Sequence, residues 1–325
     1  MPLPPKTPPE ATQEAAVGEF SPLAPTPPEA APLPRPRLPA ILRVALYLVA
    51  VIAIQFAIGS PTLAVFAALG LPEPSEAALG SLLLLDTALG LPFVFGLTAL
   101  FLRYLDRRPL PSIGLRWPAG GARQRARAAG LGAAVTLALL VAWLGAIAAN
   151  AEIHWNGWSP EVLQGGALAA ALLLALHLVG FVIQGGFEEL AARGYAYHAL
   201  RERYGAAPAN LATSAVFALL HAGNPGATPV AIANTFLAGV VLAASVERTQ
   251  SLLPATIAHG AWNFAIACVL SVPVSGLELF HLGDVEITGP AAITGGAYGP
   301  EGSWLIQPML LWVLWGVGRL RSSKV

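Results

Sequence analysis

Apolar residues run in long blocks along most of this chain, with polar and charged residues gathered between them. The blocks fall near residues 40 to 59, 79 to 102, 128 to 149, 167 to 187 with a helical continuation to about 204, 208 to 222, 229 to 246, 251 to 272 and 303 to 318. Each is about the length that crosses roughly 30 Å of hydrocarbon at about 1.5 Å per residue. Backbone polar groups in lipid must be satisfied within their own segment, so every block reads as a helix. The pattern predicts an all-α, polytopic transmembrane bundle of about eight helices over 40–325, with room for short or re-entrant pieces at 59–71 and 273–302.

Composition points the same way. The chain is 55% hydrophobic and only 11% charged, against about 25% charged in soluble domains. Residues 1–39 differ: they hold 13 of the 29 prolines and few large apolar side chains. Such a segment buries too little to offset its ordering entropy and reads as a disordered, Pro-rich cytoplasmic tail. A solvated tail is a simpler reading than a docking site for a proline-binding module. No signal peptide is expected, because the first apolar run starts only near Ala40. The single cysteine, Cys268, lies in an apolar run, which excludes a disulfide framework and a cysteine-based metal site.

The basic residues set an orientation. With an even number of spans and the N-terminus inside, all 18 fall in cytoplasmic segments, from Lys6, Arg35, Arg37 and Arg43 to Arg319, Arg321 and Lys324. The opposite loops carry Glu73, Glu76, Glu152, Glu161, Glu278, Asp284, Glu286 and Glu301 and no Lys or Arg. Both termini are then cytoplasmic. The cluster Arg103 to Arg127 is explained as a juxtamembrane topology signal, and nucleic acid is not an expected partner.

Against this background the stretch QGGFEELAARG, 184 to 194, stands out. Ionisable residues inside a bilayer are costly and default to a functional role. Glu189 and Arg193 are four apart and pair on one helix face, which turns Glu188 about 100° away. FALLH, 217 to 221, places His221 one turn after Phe217, and HGAWN, 259 to 263, places His259 and Asn263 on one face. Measured from the cytoplasmic helix ends, Glu188 lies roughly 22 Å from Arg203, His221 roughly 20 Å from Pro208, and His259 and Asn263 roughly 12 and roughly 18 Å from Ser251. These depths permit one shared polar layer. A carboxylate and an imidazole beside a water form a general-base pair. A second imidazole and a carboxamide donate to the oxyanion formed on an amide. That is the equipment of a peptide hydrolase. His177 and Asp86 read as satisfied bundle residues, and His154, His198 and His281 carry no visible constellation.

The three motifs EExxxR, FxxxH and HxxxN, here Glu188, Glu189 and Arg193, then Phe217 and His221, then His259 and Asn263, resemble those of the CPBP intramembrane proteases. That family includes the Rce1-type CAAX prenyl endopeptidases and the Abi-type bacterial proteins. The resemblance covers roughly 166–272. It implies Glu188 as general base with His221, and His259 and Asn263 as oxyanion or water-holding groups. Glu189 and Arg193 would support them. It implies a peptide or membrane-protein substrate with the lipid bilayer as surroundings, and the Ala, Leu, Gly and Pro-rich composition suggests the cytoplasmic membrane of a bacterium as location. No cofactor is favoured. A divalent metal such as zinc would fall to Glu188, His221 and His259, although the HExxH spacing of ordinary zinc proteases is absent. Two other readings compete: a non-catalytic protein of the same fold, such as a bacteriocin-immunity factor or scaffold, and a transporter using the cluster as an ion site. No serine stands in a GxSG setting, and the Gly283–Asp284 pair lies in a polar loop, so rhomboid and aspartyl intramembrane proteases are disfavoured. The sequence does not address oligomeric state.

Overall fold

Each predicted apolar block holds a helix in the computed structural model, which describes residues 36–69, 76–115 and 122–319. Along the chain they are α1 (Ala40–Ala68), α2 (Glu76–Leu100), α3 (Ala122–Asn150), α4 (Pro160–Glu189), α5 (Tyr197–Tyr204), α6 (Ala206–Leu220), α7 (Pro229–Thr249), α8 (Leu253–Phe264), the single turn α9 (Ala291–Thr294) and α10 (Ile306–Arg319). Among the described residues, five segments are long and apolar enough to cross a membrane: Ala40–Gly59, Ala78–Asp106, Gly132–Asn150, Val162–Tyr204 and Pro229–Thr249. Two apolar helices are shorter, Ala206–Leu220 and Leu253–Val269. The protein is an integral membrane protein, and its outer faces carry the exposed apolar side chains this requires, such as Phe56, Val141, Leu172 and Trp312. The tail expectation for residues 1–39 falls largely on residues 1–35, which lie outside the described residues, as does Arg116.

The expected all-helical bundle lacked one feature. β1 (Glu152–Trp158) and β2 (Gly283–Thr288) form a two-stranded antiparallel sheet with a bulge between Trp155 and Gly157. The strands come from connections more than a hundred residues apart, so no hairpin signal announces them. The Trp155 ring fills the space beside Gly283, where an added Cβ would lie 2.0 Å from it. The segments flagged as possible extra membrane pieces resolve differently. α1 continues through Pro61 to Ala68, and residues 273–302 hold β2, α9 and two short 3-10 turns.

Helix starts follow local chemistry. Ser159 caps α4 by accepting from Val162 N at 3.4 Å, and Thr228 caps α7 by accepting from Ala231 N at 3.1 Å. Each is followed by a proline, whose missing N–H is one that no helix start could satisfy. α4 kinks at Gly166, where φ is 69°.

Without a hydrophobic drive between helices in lipid, small residues and hydrogen bonds hold the bundle. α4 meets α8 at Gly185 and Gly260: a Cβ on Gly260 would stand 2.8 Å from the Phe181 carbonyl oxygen, and one on Gly185 would stand 3.1 Å from Gly260 N. α3 meets α8 through Gly132 and through Thr136 Oγ1 donating to the Ala258 carbonyl at 3.1 Å. At the other side of α4, the start of α1 and the end of α2 are tied together. The buried Arg43 pairs with Asp106, and Tyr195 donates to the same carboxylate at 2.7 Å. Asp86 is buried in α2 beside Gly59. His177 is buried too, with Nδ1 on the Leu173 carbonyl at 2.9 Å and Nε2 on Ser81 at 3.1 Å. Both are bundle residues, as their sequence setting suggests.

Candidate active site

α4 ends on the two glutamates and passes into a wider π-helical turn, Leu190–Ala196, before α5 resumes. Such turns are rare and concentrate at functional sites, because the extra residue loosens the carbonyl ladder and re-aims side chains. Here the carbonyls of Arg193 and Gly194 share one donor, His198 Nδ1, at 2.9 and 2.8 Å. His198 is thus a staple of this turn.

The wider turn keeps the i,i+4 pair intact. Arg193 Nη1 donates to Glu189 Oε1 at 3.0 Å, with both side chains fully buried. The same oxygen lies 3.0 Å from His259 Nδ1. Glu189 therefore serves α8 as well as its own helix, a link that spacing along one helix does not reveal. Glu188 keeps 25% of its side-chain surface exposed, so of the two glutamates it is the one open to the cavity. Its Oε2 lies 3.7 Å from His259 Nε2, and its Oε1 accepts from Gln184 Nε2. Gln184 Oε1 in turn accepts from Asn263 Nδ2 at 3.1 Å. A continuous polar path therefore runs Asn263, Gln184, Glu188, His259, Glu189, Arg193. With Nδ1–H assigned to Glu189, the neutral His259 ring carries a lone pair at Nε2, and the doubly protonated ring carries an N–H there.

His221 caps the end of α6, with Nδ1 on the Phe217 carbonyl at 2.8 Å. That bond assigns the proton to Nδ1 and leaves Nε2 free to accept. Phe217 is the common wall of the site. The Arg193 guanidinium lies 4.2 Å from its ring centre, the His221 ring 4.6 Å and the His259 ring 6.0 Å. The aromatic face offsets part of the cost of burying the arginine. Gly239 leaves the space that Arg193 fills, since a Cβ there would lie 2.9 Å from Nη2.

Glu188, His221, His259 and Asn263 all line one cavity of about 530 Å³, together with Gln184 and Glu301. Its remaining wall is largely apolar, contributed by residues such as Val44, Leu48 and Val51 of α1 and Leu83 of α2. His221 joins the cluster through its ring contact with Phe217. Among the described residues no three His, Cys, Asp or Glu side chains converge as a metal site.

Sequence reasoning gave no role to three residues that touch this cluster. Gln184 stands one turn before Glu188, a spacing that signals proximity but no chemistry. Trp262, inside HGAWN, donates from Nε1 to Glu301 Oε1 at 3.1 Å. Glu301 lies in the connection between α8 and α10, where nothing local points at the cavity. Burial in this connection pushes the Glu301 carboxyl up to about 7.

Comparison with known proteins adds one match. Residues 170–265 fit the family described as type II CAAX prenyl endopeptidase Rce1-like. No curated protein and no solved structure matches the chain. The matched residues contain all three motifs, so this segment of the chain is similar to the Rce1-like type II CAAX prenyl endopeptidases.

Proposed function

We propose that the protein is an intramembrane endopeptidase in which Glu188 activates water against a peptide bond. The observation that carries this is the polar path from Asn263 to Arg193, which holds Glu188 and His259 at the wall of a largely apolar cavity shared with His221. Glu188 takes one proton from the water, and His221 Nε2 accepts the hydrogen bond of the other. The water oxygen attacks the carbonyl carbon, and the C=O electron pair moves to oxygen. His259 in its doubly protonated form gives Nδ1–H to Glu189 and Nε2–H to that oxyanion. The second Nδ2–H of Asn263, the first being held by Gln184, joins it. Collapse re-forms the carbonyl and breaks the C–N bond, and Glu188 returns its proton to the departing amine. No step passes through a metal.

The substrate is a peptide or membrane-associated protein admitted along the apolar wall. On this reading the chain crosses a bacterial cytoplasmic membrane eight times with both termini cytoplasmic, and the site opens toward that side. Three basic segments meet at one end of the bundle, which supports the orientation. Arg37 N donates to the Leu105 carbonyl at 3.0 Å, and Arg108 pairs with Glu202 at 2.6 Å. The test is cleavage of a quenched fluorescent peptide library by the purified protein in lipid vesicles. Glu188→Ala and His221→Ala should each abolish cleavage. Cleavage surviving both substitutions overturns the mechanism.

A further inference from the structure

Glu301 belongs to a short 3-10 turn, Pro300–Gly302, outside the segment that matches the protease family. Its three acceptor oxygens reach three different elements. Oε1 accepts from Trp262 Nε1 of α8 at 3.1 Å. Oε2 accepts from Ser275 N of the α8–α10 connection at 2.7 Å. Its carbonyl accepts from Asn234 Nδ2 of α7 at 2.8 Å. The network then extends to the fourth segment of the site, because the Ser275 carbonyl accepts from Asn224 Nδ2 at 2.9 Å.

The residues that answer Glu301 are neighbours of the proposed machinery. Trp262 directly precedes Asn263 and follows His259 by three residues, and Asn224 follows His221 by three. The connection also presses directly on the turn after His221. A Cβ on Gly276 would lie 1.9 Å from the Pro225 carbonyl oxygen, and one on Gly226 would lie 3.0 Å from Ala297. Ser275 itself is held at φ 49°, a left-handed conformation that persists for a residue with a side chain only where its surroundings enforce it. A carboxyl beside a largely apolar cavity is costly to bury, and neutral packing would serve mere closure of the connection.

We propose that Glu301 is a positioning residue of the peptidase site: through Trp262 and Ser275 it sets the α8 turn bearing His259 and Asn263 against the turn that follows His221. This rests on the peptidase reading above. It adds a contribution from a part of the chain that the family match does not reach.

The test uses the full chain in lipid vesicles and two independent readouts. In peptide cleavage, Glu301→Ala lowers kcat about 100-fold, as expected for a misplacement near 1 Å, while KM stays within about threefold. Glu301→Gln, which keeps one acceptor, recovers part of the rate. Trp262→Phe removes only one donor and costs less, and the double variant Glu301→Ala/Trp262→Phe is no slower than Glu301→Ala alone. In hydrogen exchange, Glu301→Ala loses protection at residues 222–228 and 273–277 while 188–200 keep theirs. The proposal is overturned by a Glu301→Ala kcat within about twofold of the parent, by additive losses in the double variant, or by unchanged exchange at both segments. A parent protein that cleaves no peptide defeats the peptidase reading, and the exchange comparison then decides the clamp by itself. If Glu301→Ala does not fold, Trp262→Phe and Asn224→Ala carry the same exchange comparison, with unchanged protection again overturning the clamp.

Discussion

Glu189 Oε1 lies 3.0 Å from His259 Nδ1, so a carboxylate that spacing assigns to its own helix also fixes the imidazole of another. One oxygen thereby joins α4 to α8 and takes the charge of Arg193 as well. The consequence is that Glu189 and Glu188, adjacent in sequence, do different work. One is buried and structural in its contacts, and the other faces the cavity.

Removing that charge should be costly. Glu189→Gln leaves the fully buried Arg193 guanidinium without a counter-charge, and breaking a buried pair in this way costs about 3–5 kcal/mol. Thermal unfolding in detergent should show the loss, and Glu189→Gln/Arg193→Gln should regain part of it. A single variant as stable as the parent would contradict the pairing.

The α4–α8 contact gives a second prediction. Gly260→Ala places a Cβ 2.8 Å from the Phe181 carbonyl oxygen and 2.9 Å from Val182 Cα, both backbone atoms that cannot swing aside. Overpacking of this kind costs about 1–3 kcal/mol, and the separation of α8 from α4 draws His259 and Asn263 away from Glu188. Peptide cleavage should fall by about 100-fold. Gly145→Ala, which meets nothing within 4 Å, serves as the control and should leave both stability and rate near the parent values.

Chelation is expected to leave the proposed peptide cleavage intact. The poor convergence of Glu188, His221 and His259 as ligands predicts a cleavage rate within about twofold of the untreated protein after incubation with 1,10-phenanthroline and gel filtration. Loss of activity that added zinc restores would overturn the metal-free step.

Glu301 gives the pH dependence. Its carboxyl is raised from 4.5 to about 7 by desolvation, against which the Ser275 N–H and Trp262 N–H bonds act. A raised pKa means the folded state binds the proton more tightly than the unfolded state. The contribution is therefore full below about pH 4.5 and is lost as pH rises through about 7. Melting temperatures measured from about pH 4.5 to about pH 8 should carry this downward component. Glu301→Gln should remove it, and an unchanged pH slope in that variant would assign the component to another group.

How much of the site could be read beforehand depends on how local each relationship is. Glu189 with Arg193, and Phe217 with His221, are one helical turn apart. Helical periodicity alone places each pair on one face, and the structure has them at 3.0 Å and 4.6 Å. Gln184 obeys the same rule relative to Glu188. It drew no attention because a glutamine has no titration or nucleophile to mark it. The β1–β2 sheet and Glu301 gave no signal at all, since their partners lie far away in sequence and the residues between carry no turn pattern that announces pairing.

The sequence by itself determined the membrane-spanning helices, because an apolar run in lipid has no alternative to satisfying its own backbone. It also determined the residue types of the candidate site, because charge inside a bilayer is too costly to be incidental. Only the tertiary structure decided that both glutamates meet the same imidazole, His259. Helical spacing pairs Glu189 with Arg193 and turns Glu188 away, and the close approach of α8 that Gly185 and Gly260 allow then brings one imidazole to both. That approach puts the two imidazole nitrogens of His259 at 3.0 Å from Glu189 and 3.7 Å from Glu188. Helix crossing and depth are long-range packing outcomes, and no periodicity within a single helix encodes them.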